Sequence, residues 1–238
     1  MLGQFLEYSL AAQPLAASYD FYRALGFVSI PVGDTLSHPY VVLFDGTLAI
    51  GLHDREQSGA QLTFVRPELR AYVRPLRRLG IELQGERLRD SEFNSVSFTD
   101  PGGQEIALIE ARTFPPGDWS ASNVTACGTL LEISLPTAEL ASSSGFWQAL
   151  GFATVASGER PHPWQRLAGR GLTVGLHEAH FPPGLRFRCD DLATRADYLR
   201  AKGLALRNGN PLADREQQAA TLTAPEGTLL YLFESRLQ

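Results

Sequence analysis

Cysteine appears only twice in the 238 residues, as Cys127 and Cys189. That scarcity excludes a disulfide framework and reads as two buried thiols. Long apolar runs are missing too: none approaches the roughly 20 residues that span a bilayer. The N-terminus, "MLGQFLEYSL", has no basic stretch ahead of an apolar core, so no secretory signal is expected and the cytoplasm is the expected compartment. The Asn123-Val124-Thr125 sequon then has no use. Positive charge is in deficit, 21 Lys and Arg against 26 Asp and Glu, a net −5 that argues against nucleic acid or an anionic membrane as partner. No Gly-rich phosphate loop, Gly-x-Ser-x-Gly elbow or Cys/His zinc spacing occurs. Histidine is scarce as well, five in all, yet two of the five close matching "GLH" tripeptides at His53 and His177.

What the chain does contain is a repeat. "GQFLEYSLAAQPLAASYDFYRALGF" from Gly3 lies over "GTLLEISLPTAELASSSGFWQALGF" from Gly128 without a gap. Glu7 meets Glu132, Ser9 meets Ser134, and Phe21 meets Phe146. "HPY" from His38 matches "HPW" from His162, and "FTDPGGQEIALIE" from Phe98 answers "LTAPEGTLLYLFE" from Leu222. The Pro/Ser-rich stretch before Cys127 has no periodicity and reads as a linker. The expected organisation is therefore residues 1–111, a linker 112–126, and residues 127–238. An apolar fraction of 44% with 20% charged residues supplies core material for both parts.

Each half divides again. Helix-like stretches end at Gly26, Gly80, Gly151 and Gly203, each followed by an apolar residue, a C-cap pattern. Short strands precede them at Phe5–Leu10, Leu62–Val65, Leu130–Leu135 and Leu185–Cys189, and strand-like runs follow. The unit is strand, helix and about three strands, four times over. Pro75 falls inside the second helix, where it should kink or shorten it. "DPGG" from Asp100 reads as a turn.

With "FLEYSL…YDFYRALGF", "FTDPGGQEIALIE", "LLEISL…GFWQALGF" and the weaker "TAPEGTLLYLFE", the chain resembles the vicinal-oxygen-chelate superfamily, the glyoxalase, bleomycin-resistance and extradiol-dioxygenase group, as a tandem two-domain member. The resemblance covers nearly everything outside the linker. It implies an α+β fold: two glyoxalase-like domains, four βαβββ modules, and curved mixed sheets enclosing clefts. It speaks to fold more than to activity, because this fold hosts many chemistries.

Strand parity sorts cleft wall from core. Leu6, Tyr8 and Leu10 share one face of the first strand, leaving Phe5, Glu7 and Ser9 on the other; Leu131, Ile133 and Leu135 oppose Leu130, Glu132 and Ser134 in the same way. A helix must cover the apolar side, so Glu7 and Glu132 face the clefts. A two-residue turn at Asp45-Gly46 would set Tyr40 opposite Gly51 and His38 opposite His53. One at Gly169-Arg170 would set Trp164 opposite Gly175 and His162 opposite His177. Arg186 and Arg188 share the cleft-facing parity, while Leu185, Phe187 and Cys189 belong to the core.

In metal-dependent relatives the resemblance places ligands on four strands. The matching positions here hold Glu7, Gly51, Gln61 and Ala107 in the first half and Glu132, Gly175, Gly184 and Tyr231 in the second. One strong ligand per half is too few for a divalent ion, which wants about three or four donors. The expected cofactor is none. A relocated site of Glu7, His38 and His53 is the metal-using alternative; a rim pair of histidines beside an aromatic ring is the plain one.

The rings of Tyr40 and Trp164 could floor a pocket for a planar ligand or simply pack over a strand glycine. Arg186 and Arg188 could hold a carboxylate or phosphate, or neutralise Glu132. Glu7 and Glu132 could be general bases or structural acceptors. The leading functional reading is a metal-free small-molecule binder of the bleomycin-resistance type. The alternative is a lyase, isomerase or dioxygenase using Glu7 or Glu132 as base, or the relocated His/Glu metal site. A module with collapsed clefts is the third reading. The expected partner is a small-molecule ligand, with no nucleic acid and no membrane; a homodimer is left open.

Overall fold

The computed structural model describes residues 2–32, 37–89, 94–111 and 125–234. The first module comprises β1 (Gln4–Ala11), α1 (Leu15–Ala24), β2 (Val28–Ile30), β3 (Tyr40–Phe44) and β4 (Ala49–His53). The second comprises β5 (Gln61–Arg66), α2 (Leu69–Arg78), β6 (Gln84–Arg87), β7 (Ser95–Thr99) and β8 (Glu105–Glu110). In the other half β9 (Thr129–Pro136), α3 (Leu140–Ala149), β10 (Ala153–Gly158), β11 (Trp164–Gly169) and β12 (Leu172–His177) form the third module. The fourth is β13 (Gly184–Cys189), α4 (Leu192–Ala201), β14 (Leu206–Asn208), β15 (Ala219–Thr223) and β16 (Leu229–Glu234). The expected unit of strand, helix and three strands is thus present four times.

Each half forms one open eight-stranded mixed sheet, in the orders β2-β3-β4-β1-β5-β8-β7-β6 and β10-β11-β12-β9-β13-β16-β15-β14. The two modules of a half join through their first strands, β1 against β5 and β9 against β13, both antiparallel. Each first strand also pairs in parallel with the last strand of its own module, β1 with β4 and β9 with β12. That pairing requires a crossover, which the helix supplies. The proposed linker falls outside the described residues from 112 to 124. No helix among the described residues is long and apolar enough to cross a membrane.

The four helices have ten residues each. Gly26, Gly80, Gly151 and Gly203 follow them with positive φ, as the C-cap pattern requires. Pro75 lies within α2 without making it shorter than the others. The Asp100 turn forms: its Oδ1 accepts hydrogen bonds from the backbone of Gly102 and Gln104. Cys127 and Cys189 are buried free thiols.

One hydrophobic core runs through both halves, with Phe64 edge-on to Phe152 and Phe98 edge-on to Phe146. Two matching bonds tie the halves. Tyr22 Oη, on α1, donates to Glu226 Oε1 at 2.7 Å, and Trp147 Nε1, on α3, donates to Asp100 Oδ2 at 3.1 Å. Each helix therefore reaches the turn before the last strand of the opposite sheet.

Parity needs one correction. A β-bulge between Phe5 and Glu7 sets Phe5 opposite Phe64, on the core face, while Glu7 stays opposite Thr63 in the cleft. The second half repeats it: Leu130 pairs with Phe187 and Glu132 with Arg186. The extra residue of a bulge re-aims everything before it, so alternation read straight through the strand misplaces Phe5 and Leu130.

Candidate functional site: two clefts built on a buried glutamate

The hairpins turn one residue later than Asp45-Gly46 and Gly169-Arg170 suggest. Asp45 Oδ1 accepts from the backbone of Thr47 and Leu48, and the Asp45 amide donates to the Leu48 carbonyl, so Gly46-Thr47 forms the corner. In the second half Gly169 pairs with Leu172 around Arg170-Gly171, both at positive φ, as a primed two-residue turn demands. The register consequently shifts by two residues. Tyr40 stands opposite His53 and Val42 opposite Gly51; Trp164 stands opposite His177 and Arg166 opposite Gly175. A two-residue shift preserves faces, so the histidines still line the clefts.

The rings do not cover the glycines. A Cβ at Gly51 would run into the carboxylate of Glu7, and one at Gly175 into that of Glu132. Each glutamate lies flat across its glycine. Tyr40 instead stacks on His53, with centroids 5.6 Å apart and planes 3° from parallel, and Trp164 stacks on His177 at 6.4 Å.

The expected histidine pairs form, through side chains rather than direct strand pairing. In the first cleft His53 Nε2 lies 2.7 Å from Glu7 Oε1, and His53 Nδ1 lies 2.9 Å from His38 Nε2. Ser9 donates to Glu7 Oε1 at 2.7 Å and shares a 2.7 Å hydrogen bond with Thr63. Glu7 and His53 are buried; His38 is partly exposed. Contacts on both ring nitrogens select a tautomer. With Nε2–H donating to the carboxylate, His53 Nδ1 accepts from His38 Nε2–H, and the lone pair of His38 is left on Nδ1.

The second cleft has the same chain, Glu132 Oε1 to His177 Nε2 at 2.8 Å and His177 Nδ1 to His162 Nε2 at 3.0 Å. Its electrostatics differ. Arg166 Nε donates to Glu132 Oε2 at 2.6 Å and Arg186 Nη1 to Oε1 at 3.3 Å, with Ser134 at 3.0 Å. Burial would push the Glu132 carboxyl up, but the His177 hydrogen bond and the charges of Arg186 and Arg166 outweigh it and hold the group far below the usual carboxylate range. Burial and the same arginines keep His177 below its ordinary value. Burial, His177 and Arg186 do so for His162. His38 is lowered by burial, His53 and Arg55.

Size separates the clefts as much as charge. Val42, Thr63 and Ala107 in the first half correspond to Arg166, Arg186 and Tyr231 in the second. Tyr231, Phe181 and Leu212 form an apolar cluster there, and Tyr231 Oη donates to the Pro182 carbonyl at 2.6 Å. Burial pushes its phenol up to about 12, so it stays protonated. Arg188 does not join the site: it lies opposite Thr129 and is exposed. Sequence reasoning missed Arg166, although it shares parity with Trp164 two residues before it.

A divalent metal fits neither constellation as placed. Of the mapped positions, Gly51, Ala107, Gly175 and Gly184 carry no donor. Gln61 gives its amide to Glu105, and Tyr231 gives its hydroxyl to Pro182. At Glu132 a dication would face two guanidinium groups. The relocated set of Glu7, His53 and His38 is strung in a line, each donor facing the next, rather than converging on one point. No group of three or more His, Cys, Asp or Glu among the described residues converges as metal donors would.

This two-sheet architecture has the same fold as several solved 2,3-dioxygenases. The chain is similar over 98% of its length to the E323L mutant of homoprotocatechuate 2,3-dioxygenase from Brevibacterium fuscum, with 13% identity, a TM-score of 0.64 and 72% of that chain covered. It is likewise similar to the 2,3-dioxygenase LapB from Pseudomonas sp. KL28, at 15% identity and TM-score 0.61, covering 99% of this chain and 94% of that one. A catechol 2,3-dioxygenase matches at 16% identity and TM-score 0.58, covering 98% and 87%. No protein-family model and no curated protein matches the sequence.

Proposed function

We propose that the protein handles a small planar organic molecule in the first cleft by proton transfer without a metal, with His38 as the acid–base group. The observation that carries this is the Glu7–His53–His38 chain, two contacts of 2.7 and 2.9 Å, with no arginine among the described residues bonded to the carboxylate. Glu7 is a positioning residue here rather than the base itself. It fixes the His53 tautomer and steadies positive charge on the imidazoles, as a buried carboxylate does behind a catalytic histidine. A proton taken from the ligand passes to His38 Nδ1, and the resulting imidazolium is held by His53 Nδ1 through the existing hydrogen bond. Burial and neighbouring charges keep His38 below its ordinary pKa, so it is neutral and able to accept near pH 7.

Three features support the reading. The architecture is shared with dioxygenases, one of which has been solved with HPCA bound. Val42, Thr63 and Ala107 are small where the second cleft carries Arg166, Arg186 and Tyr231. The second cleft's arginines oppose charging of His177 and His162, which makes the same chain a weaker base there.

The test combines metal analysis with solvent-deuterium exchange. Protein purified without chelator or nickel should carry no stoichiometric metal. It should also catalyse exchange at acidic C–H positions in a panel of aromatic and α-keto acids. Glu7→Gln should reduce that exchange by about 10²–10⁴-fold while leaving ligand affinity nearly unchanged. Stoichiometric metal lost on Glu7→Gln, or exchange unaffected by His38→Ala, would sink the proposal.

A further inference from the structure

The misfit of a metal at Glu132 is itself informative, because the protein has put fixed positive charge of its own there. Arg166 and Arg186 face a single carboxylate, both within hydrogen-bond reach, and the remaining titratable members, His177 and His162, are held neutral by their surroundings. Two guanidinium groups against one carboxylate leave one uncompensated charge in a largely buried site. Asp214 acts on His162 but pairs with exposed Arg160 at 3.8 Å and contacts neither Arg166 nor Arg186 among the described residues, so it leaves the excess charge at Glu132 in place. Burying an uncompensated charge is costly unless a counter-ion joins it.

The donors for such a counter-ion are in place. Arg166 spends only its Nε–H, on Glu132, so the Nη pair has no partner among the described residues; the side chain is 21% exposed and within reach of solvent. Arg186 is 8% exposed, donates Nη1 to Glu132 and Nη2 to the Leu212 carbonyl, and keeps a buried Nε with no hydrogen-bond partner. Its guanidinium is already oriented by the Phe233 ring, 4.4 Å away. Trp164 lies 5.6 Å from the Arg166 guanidinium and stacks on His177, offering a flat apolar wall beside the free fork.

We propose that the second cleft binds a small organic anion with a planar carboxylate, gripped by the Arg166 fork with its ring laid along Trp164. The planar two-pronged donor matches a carboxylate better than a point charge does. Val42 and Thr63 replace both arginines in the first cleft, so the anion site belongs to one half alone. It is independent of the acid–base reading: it uses no residue of the Glu7–His53–His38 chain and survives if that reading fails.

Isothermal titration calorimetry with sodium benzoate, and with benzamide as its uncharged counterpart at the same sodium chloride concentration, tests this. Benzoate should bind saturably and about tenfold or more tighter than benzamide, the share of a charge-assisted hydrogen bond. Arg166→Met should lose that preference. Arg166→Lys keeps the charge beside Glu132, and hence the fold, but should weaken benzoate by about tenfold because the fork is gone. Arg188→Ala, on the strand of Arg186 but exposed and away from Glu132, should bind like the parent. Absence of saturable benzoate binding overturns the proposal. So does equal binding of benzamide, undiminished binding in both Arg166 variants, or an equal loss in Arg188→Ala.

Discussion

The carboxylate of Glu132 lies across the backbone of Gly175, in the space a Cβ would need, and Glu7 lies across Gly51 in the same manner. The two contacts differ in how freely the acid can retreat. Glu132 is pinned by Arg166, Arg186, His177 and Ser134, whereas Glu7 is held by His53 and Ser9. Gly175→Ala should therefore destabilise more than Gly51→Ala, by about 1–3 kcal/mol for the former as overpacking usually costs. Urea melts of the two variants measure it. A smaller cost at Gly175 would contradict the geometry.

Removing the charge from Glu132 should be worse than removing an arginine with it. Glu132→Gln leaves two guanidinium groups facing no anion, an expected loss of about 3–5 kcal/mol. Pairing it with Arg186→Met, which takes out the more buried cation, should recover part of that loss. A double variant no more stable than Glu132→Gln would show that the ion cluster is not the source.

The contribution of the three lowered histidines to the pH dependence has a fixed sign. His38, His162 and His177 are lowered in the folded state, so the unfolded chain takes up protons first as pH falls. Their contribution is complete above the unfolded value near 6.5 and is lost on acidification through the window below it. Glu132, lowered far below an ordinary carboxyl, adds a second loss beginning near the unfolded value of about 4.3. Thermal melts from pH 8 to 4 should fall below about pH 6.5. His162→Gln should flatten the upper part of that fall; a Tm that rises on acidification through this range would refute the argument.

The two matching side-chain bonds from α1 and α3 should matter unequally. Trp147→Phe deprives buried Asp100 of one donor while leaving backbone donors at Gly102 and Gln104, an expected cost of about 1 kcal/mol in hydrogen bonding. Tyr22→Phe strips the bond from Glu226 Oε1, and Glu226 Oε2 already lacks a partner among the described residues. That carboxylate is left poorer, so Tyr22→Phe should cost more. Equilibrium unfolding of both single variants decides the order.

Much of the architecture could be read from the residues alone. The gapless repeat from Gly3 and Gly128, the four glycines after helices and the alternating strands all report local geometry, which short sequence windows encode directly. Cleft-facing Glu7 and Glu132, and the meeting of His38 with His53 and His162 with His177, followed from parity, which tolerates a register error of two. Phe5 and Leu130 were misplaced because a bulge leaves no mark in an alternating pattern.

What only the folded chain decided is how the two clefts diverge. The turn at Gly46-Thr47, one residue beyond the stronger local signal, moved Tyr40 from Gly51 to His53. In the second half the same shift brought Arg166 opposite Gly175. Whether a carboxylate is bare or neutralised depends on which side chains converge from four strands at once. Glu7 and Glu132 are the same residue in the same local sequence frame. Val42 and Thr63 against Arg166 and Arg186, far away in the chain, leave Glu7 to His53 and Ser9 while Glu132 faces two guanidinium groups. Such convergence is set by pairing between distant strands, and no local propensity records it.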